Sequence, residues 1–439
     1  MPLLARLAVC PLIIVLLSGA RAMVPSGEAM YQGQTRDDRL CGSTDANAII
    51  PHCTAVGGLI PQSQTKDGRL CSGADATAVI PACTAIIDSR ATTTRQKAQA
   101  LLFRGIAYVN GGQPSAALAD LNQAVMLDPN NSSAWSTRGN YFHAEGDDAH
   151  ALDDFDRAVM IDPKNSFVRL QRANFFLMTG AAEKAIPDFD SVISLDPRNP
   201  AAFANRGEAY RIQDQTDRAI ENYNQAIKLD GKFAYAWYDR GLALSGRGDF
   251  THAIDDFSQA LKLDPKFVAA YSHRAFAYDA AGDHDRAFTD ANAAIKVDPD
   301  DASAYFTRGN IYTSRNDLDH AIEDFSRAVM IDERYADAFA NRGTAYARKG
   351  NYQRAISDYG VAIRLNPRLT SVYSNRGLAL LKIGEVARAI DDFDDALRAD
   401  PKDALSLYNR GVAKQKQGSQ SAGDADIAAA RAIDPKVGN

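Results

Sequence analysis

The chain has 439 residues and a formal net charge of −6 at pH 7, and 46% of its residues are hydrophobic. The acidic balance argues against nucleic acid as a partner, because no basic excess is available to release counterions from a phosphate backbone. Apart from one short N-terminal stretch, no apolar run is long enough to cross a bilayer, so we predict no membrane span in the mature chain.

Residues 1–22 have the pattern of a secretory signal peptide. Arg6 ends a short basic region, and the apolar stretch that follows, residues 7–17, is too short to span a membrane. Small residues from Ser18 to Ala22 supply an Ala-x-Ala cleavage site. We therefore predict export to a periplasm or the extracellular space, with an uncleaved anchor as the alternative.

Residues 23–97 contain the four remaining cysteines in two near-copies of one segment. Eleven residues separate Cys41 from Cys53, and eleven separate Cys71 from Cys83. Paired, duplicated cysteines in an exported chain favour the disulfides Cys41–Cys53 and Cys71–Cys83, each worth roughly 3 kcal/mol in the chain-entropy model. The alternative is a zinc site built from all four, although the short spacing typical of such sites is missing.

The rest of the chain, residues 98–437, repeats itself every 34 residues. A fixed period of this length indicates a stack of identical supersecondary units. We number the repeats 1 to 10 and the positions within each from 1 to 34; repeat 1 begins at residue 98 and repeat 10 at residue 404. Position 7 is always arginine: Arg104, Arg138, Arg172, Arg206, Arg240, Arg274, Arg308, Arg342, Arg376 and Arg410.

Each repeat has the pattern of two amphipathic helices, A and B. Apolar and small residues recur at helical spacing at positions 4, 8 and 11, and again at 20, 24 and 27. Position 15 is glycine, Asp214 or Asn316, all of which tolerate the left-handed conformation that ends a helix. An aspartate at position 16, such as Asp147, Asp249, Asp283 or Asp317, is expected to cap helix B.

The arginine at position 7 stands where an apolar residue would pack, so its charge needs a partner. Position 23 supplies one, because it is aspartate in nine repeats and Asn222 in the fourth. We predict a ladder of Arg–Asp pairs between the two helices, for example Arg308 with Asp324. The alternative is an arginine stripe that binds anionic ligands.

The unit, with an aromatic residue at position 4, small residues at 8 and 20 and an aromatic residue at 24, resembles the tetratricopeptide repeat. The resemblance covers residues 98–437. It implies an all-α fold, a right-handed superhelical solenoid of ten helix-turn-helix repeats, here with a small disulfide-stapled N-terminal cap. One departure is the arginine at position 7, where the family usually has leucine.

In this family, positions 2, 5, 6, 9, 12 and 13 of helix A face a concave groove. Asparagines at positions 6 and 9 offer both a donor and an acceptor to an extended peptide backbone, and they resemble the asparagine row in the enzyme that adds N-acetylglucosamine to protein serines. The alternative is that they are solvated consensus residues. Tyr235, Tyr238, Phe276, Phe306 and Tyr408 are predicted to be exposed aromatic anchors. The predicted groove residues are Asn205, Tyr235, Tyr238, Asp239, His273, Asn310, Asn341, Asn375, Tyr408 and Asn409.

No nucleophile is paired with a base in the sequence, and no histidine lies in a metal-binding spacing, so we predict no enzyme activity, no cofactor and no metal. The sequence predicts an exported protein–protein interaction module that binds extended peptides or proteins in its groove. One alternative is a structural scaffold of a cell-envelope or polysaccharide-export assembly. Another is an enzyme that uses the repeats to read its substrate. The sequence makes no prediction of oligomeric state.

Overall fold

The computed structural model describes Cys71 and residues 76–438 of the chain. Within these residues it contains helices and no strands, which confirms the predicted all-α fold. A single helix, α1 (Ala76–Asp88), precedes ten helix pairs, one pair for each repeat. The pairs are α2 (Thr94–Asn110) and α3 (Pro114–Leu127), α4 (Ser132–Ala144) and α5 (Asp148–Ile161), α6 (Ser166–Met178) and α7 (Ala182–Leu195), α8 (Pro200–Ile212) and α9 (Thr216–Leu229), α10 (Ala234–Gly246) and α11 (Phe250–Leu263), α12 (Val268–Ala280) and α13 (His284–Val297), α14 (Ala302–Ser314) and α15 (Leu318–Ile331), α16 (Ala336–Arg348) and α17 (Tyr352–Leu365), α18 (Thr370–Lys382) and α19 (Val386–Ala399), and α20 (Ala404–Lys416) and α21 (Gln420–Ile433).

The described residues form two compact units, and the division falls between repeats 5 and 6. The N-terminal unit ends at Phe267 and the C-terminal unit begins at Val268. Inside each unit, helix B of one repeat packs on its own helix A and on helix A of the next repeat. The core of each unit is therefore a series of buried clusters that follow one another along the repeats, as expected for stacked repeats that bury their apolar faces against neighbours.

The aromatic ring at position 24 of helix B forms the centre of most repeats. Phe325 is fully buried, and a β-carbon added at Gly309, position 8 of the same repeat, would lie 2.7 Å from its ring. The same holds for Tyr223 and Gly207, where the distance would be 2.8 Å. Such contacts are too short for a real β-carbon, so glycine at position 8 lets the ring of helix B lie against the backbone of helix A.

The predicted helix ends are confirmed. Asp214 and Asn316 have φ angles of 57° and 60°, and the glycines at position 15 of the other repeats have positive φ as well. The aspartates at position 16 accept a hydrogen bond from the third backbone N–H of helix B, as Asp317 does from His320. These caps satisfy orphan backbone donors and fix where helix B begins in each of those repeats.

The predicted Cys71–Cys83 disulfide is present. Cys83 is fully buried on α1 and packs with Ala100 and Phe103 of the first helix A. Its bond to Cys71 excludes the zinc alternative for these two residues. The predicted signal peptide, residues 1–22, and the predicted Cys41–Cys53 disulfide lie outside the described residues. Among the helices from residue 76 onward, none has the length and apolar character needed to cross a membrane.

Candidate functional site

The arginine at position 7 joins three helices. Nε and Nη2 of Arg308 donate to the two carboxylate oxygens of Asp324, both at 2.7 Å, which confirms the predicted ladder. Nη1 of the same guanidinium donates to Asn292 on helix B of the preceding repeat, at 2.7 Å. That third contact, to position 25, was not predicted. It repeats at Arg138–Asn122, Arg172–Asp156, Arg206–Asp190, Arg240–Asn224, Arg342–Ser326 and Arg410–Asp394.

The N-terminal cap uses the same contact. Nη1 of Arg104, in repeat 1, donates to Oγ1 of Thr84 on α1 at 2.8 Å. Thr84 directly follows Cys83, so the two residues occupy the places that positions 25 and 24 have in a full helix B. Helix α1 therefore stands where the helix B of a preceding repeat would stand, and it covers the apolar face of repeat 1.

Asparagines of the groove pair with each other between repeats. Nδ2 of Asn341, at position 6, donates to Oδ1 of Asn310, at position 9 of the preceding repeat, over 2.8 Å. In the N-terminal unit, Asn205 makes the same bond to Asn174 at 2.9 Å. Each pair links two neighbouring A helices, and its buried or half-buried amides are already partly satisfied within the protein.

Repeats 9 and 10 lack this pairing. Asn375 and Asn409 also stand at position 6, but position 9 of the preceding repeat is Thr344 or Leu378. Oγ1 of Thr344 donates to the carbonyl of Ala340 at 3.0 Å and accepts from the Tyr359 hydroxyl, and Leu378 has no polar side chain. Nδ2 of Asn409 is consequently buried without an acceptor among the described residues.

These two asparagines line a cavity of about 90 Å³ formed by the A helices of repeats 8 to 10 and by helix B of repeat 8. Pockets for small-molecule ligands usually measure roughly 300–1,000 Å³, so this cavity suits one side chain better than a cofactor. The other lining residues are Thr344, Ala347, Arg348, Tyr352, Tyr359, Leu378, Ala379, Lys382 and Leu405. We call this set, with Asn375 and Asn409, the groove cavity.

The charge of the groove cavity is positive, because Arg348 and Lys382 line it and no carboxylate does. Both occupy position 13, at the ends of their A helices. Arg348 is held by Asn316 of the preceding repeat, whose Oδ1 accepts from its Nη2 at 2.7 Å. Lys382 is exposed and makes no ion pair with any residue that the structure describes. Position 13 is basic in repeat 10 as well, at Lys416.

The expectation that Tyr235, Tyr238 and Phe306 are exposed is wrong. Their exposed fractions are 9%, 1% and 2%. The cause is an aromatic residue at position 34, in the connection to the next repeat: the ring centre of Phe267 lies 4.9 Å from that of Tyr235 and 4.6 Å from that of Tyr238. Tyr335 covers Phe306 in the same way, at 4.9 Å.

The remaining predicted groove residues differ in exposure. His273 is buried, with Nδ1 2.8 Å from the carbonyl oxygen of Ala269. Asp239, Phe276 and Tyr408 are half-buried. Of the ten predicted residues, only Asn375 and Asn409 line the groove cavity. The sequence signal for this difference was the residue at position 9 of the preceding repeat, which decides whether an asparagine at position 6 is paired.

Comparisons with known protein families agree with this architecture. Models described as tetratricopeptide repeat match residues 103–166, 234–267, 268–301, 340–404 and 374–435. A further model, described as TPR repeat, matches residues 207–248 and 309–350. None of the curated protein sequences matches the chain.

Solved structures show the same type of fold. The crystal structure of the APC/C hetero-tetramer Cut9-Hcn1 is 16% identical, with a TM-score of 0.50 over 82% of this chain and 78% of that one. A tetratricopeptide repeat protein from Parabacteroides merdae is 21% identical, with a TM-score of 0.49 over 57% of this chain and 99% of that one. YrrB, described as a TPR protein with an unusual peptide-binding site, is 23% identical, with a TM-score of 0.32 over 42% and 95%.

At 16% identity the match to Cut9-Hcn1 shows the fold alone. The family models, in contrast, match most of the repeat block in segments that follow one another along it. The chain therefore belongs to the tetratricopeptide repeat family and is a protein–protein interaction module.

Proposed function

We propose that this chain is exported and binds an extended segment of a partner protein in the groove of repeats 8 to 10. The observation that carries the proposal is the Nδ2 group of Asn409, a buried donor with no acceptor among the described residues, in the wall of the groove cavity. Leaving such a group unsatisfied costs about 1–3 kcal/mol. A backbone carbonyl of a bound segment would supply the acceptor.

Asn375 extends this reasoning by one repeat. It stands at the same position as Asn409 on the neighbouring A helix and lines the same cavity. An asparagine amide both donates and accepts, so it matches the N–H and C=O groups of an extended backbone whatever side chains the segment carries. The segment's side chains would then decide specificity, and the cavity has room for one of them.

The cations of the groove cavity favour an acidic segment. Arg348 and Lys382 meet no carboxylate in the cavity lining, and Lys416 continues the basic row at position 13. Exposed ion pairs contribute only about 0–1 kcal/mol each. We therefore expect these basic side chains to select acidic partners and to speed association more than to increase affinity.

Export rests on the sequence pattern of residues 1–22 and on the Cys71–Cys83 disulfide. Disulfides form and persist in oxidising compartments and are rare in the cytosol. N-terminal sequencing of the protein recovered from the exported fraction should begin after Ala22. A protein that stays in the cytosol with an intact N-terminus would contradict this part of the proposal.

A display library of random twelve-residue peptides, selected on the full chain, tests the binding proposal. We expect enrichment of peptides with Asp or Glu. The variant Asn375→Ala/Asn409→Ala should bind them about 30-fold more weakly, since two hydrogen bonds worth about 1 kcal/mol each are lost. The matched control is Asn174→Ala/Asn205→Ala, which removes a paired couple in the N-terminal unit and should bind like the wild type. Equal binding by both double variants would overturn the proposal.

A further inference from the structure

The arginine contacts are interrupted on helix B of repeat 8. At position 25 most repeats supply a side-chain oxygen to Nη1 of the next arginine, but repeat 8 has Gly360 there. Arg376 still binds Asp392 through Nε and Nη2, at 2.8 and 2.7 Å. Its Nη1 has no acceptor among the described residues, so one edge of a half-buried guanidinium is left open.

A second guanidinium reaches the same place. A β-carbon at residue 360 would lie 3.7 Å from Nη1 of Arg376 and 3.9 Å from Nη1 of Arg364. Arg364 follows Gly360 by one helical turn, is exposed, and forms no hydrogen bond or ion pair with a residue that the structure describes. Two cationic donors from different helices therefore converge over a residue without a side chain. We call this space the Gly360 notch.

In three other repeats a carboxylate of the protein fills the corresponding space. The carboxylates of Asp156, Asp190 and Asp394 accept from Nη1 of the next arginine at 2.7, 2.6 and 2.7 Å. An oxygen acceptor at this point is thus a regular part of the repeat, and three repeats supply it as a carboxylate; at Gly360 it is missing. Asp392 neutralises only one of the two guanidiniums in the notch, and the nearby Asp395 is paired with Arg398 at 2.6 Å, so an excess of positive charge remains.

We propose that the Gly360 notch binds a phosphate group, whose oxygens accept from Nη1 of Arg376 and of Arg364. Guanidinium donors suit phosphate oxygens in geometry and charge, and a dianion gains more from two cations than a carboxylate does. None of Gly360, Arg364 and Arg376 lines the groove cavity, so this inference goes beyond the proposed function. The phosphate is either free or carried by a partner molecule.

Calorimetric titration of the full chain at constant ionic strength, with inorganic phosphate replacing chloride, tests the proposal. Wild-type protein should bind phosphate in the millimolar range. Gly360→Asn should weaken binding at least tenfold, because the new amide oxygen takes Nη1 of Arg376 as Asn292 takes that of Arg308. Arg364→Gln should weaken it without touching the Arg376–Asp392 pair. A parallel titration with O-phosphoserine, with serine as its control, distinguishes the two sources: tighter binding than inorganic phosphate indicates a phosphorylated partner.

The chain also offers a gain-of-function control. Asn292→Gly opens the same space beside Arg308, and Lys296 stands one turn further along, where Arg364 stands in repeat 8. This variant should bind a second equivalent of phosphate. The proposal is overturned if wild-type protein binds no phosphate up to tens of millimolar, or if Gly360→Asn binds it as tightly as the wild type.

Discussion

The A helices of repeats 7 and 8 are joined by an asparagine pair, whereas the A helices of repeats 9 and 10 lack this pair. Nδ2 of Asn341 donates a hydrogen bond to Oδ1 of Asn310. Asn409, at the same position two repeats later, faces Leu378 and keeps a buried donor without an acceptor among the described residues. The arginine contacts to helix B show the same contrast. Nη1 of Arg308 donates to Asn292, whereas Nη1 of Arg376 has only Gly360 at the corresponding position.

The difference teaches that the repeat pattern supplies the structural contacts and its exceptions supply candidate sites. A contact that recurs with the period joins neighbouring repeats and occupies polar groups that a ligand could otherwise use. Where one member is replaced, as by Leu378 or Gly360, the other member keeps its polar group and is available to bind. The three predictions below test this contrast, beginning with the largest effect.

Replacing the arginine at position 7 should lower the free energy of unfolding more at Arg308 than at Arg376. Arg308→Leu strands the nearly buried carboxylate of Asp324, at about 3 kcal/mol of unfolding free energy. Arg376→Leu strands Asp392 similarly but removes one hydrogen bond fewer, so its cost should be about 1 kcal/mol lower. Urea unfolding followed by circular dichroism measures both.

A control for this prediction removes both charges. Arg308→Leu/Asp324→Leu should recover most of the lost stability, since no unpaired charge remains in the core. If the double variant is as unstable as the single one, packing by the arginine stem and not its charge accounts for the loss.

Truncating the asparagines should separate stability from binding. Asn341→Ala leaves Oδ1 of Asn310 without its donor and should cost about 1 kcal/mol of unfolding free energy. Asn409→Ala removes a buried donor that had no acceptor, so it should leave stability unchanged or raise it, while peptide binding falls. The melting temperatures of the two variants should therefore move differently. A loss of stability in Asn409→Ala as large as that in Asn341→Ala would remove the distinction between the two regions.

Much of the fold was predictable because its causes lie within one repeat. The period places Arg308 and Asp324 on facing helices of the same unit, and position 15 marks the end of helix A in the sequence. The same reasoning predicted Asn341, Asn375 and Asn409 equally as groove residues and did not distinguish the paired asparagine from the other two. Their difference depends on residues 31 positions earlier, Thr344, Leu378 and Asn310, whose proximity follows from how neighbouring A helices stack.

The errors on the aromatic residues have a similar origin. Tyr235 and Tyr238 stand at positions that face the groove in the family, so the helical pattern predicts exposure. Phe267 buries both from the connection between two repeats. A residue in an irregular segment has no periodic pattern, and its direction is set by the loop's backbone, which the spacing of apolar residues does not describe.

The smallest predicted effect is a pH dependence at the start of helix B in repeat 7. There the Asp317 carboxylate lies 2.8 Å from Nδ1 of His320, whereas repeat 8 has Asn351 and Arg354 at these positions. The hydrogen bond to Asp317 raises the pKa of His320 above its ordinary value of 6.5, and it lowers the pKa of Asp317. The pair therefore stabilises the fold fully below pH 6.5 and loses that contribution as the pH rises through the raised pKa; at the acid end it is lost as the pH falls through the lowered pKa of Asp317.

Asp317→Asn isolates this effect, because asparagine caps a helix as well as aspartate does but carries no charge. The imidazole pKa of His320, measured by NMR titration, should fall toward 6.5 in the variant, and the melting temperature should change less between pH 6 and pH 8 than in the wild type. The change should be smaller than either effect above, since both side chains are exposed to solvent. An unchanged His320 titration in Asp317→Asn would show that the pair does not form in solution, and repeats 7 and 8 would then begin helix B with the same pH-independent cap.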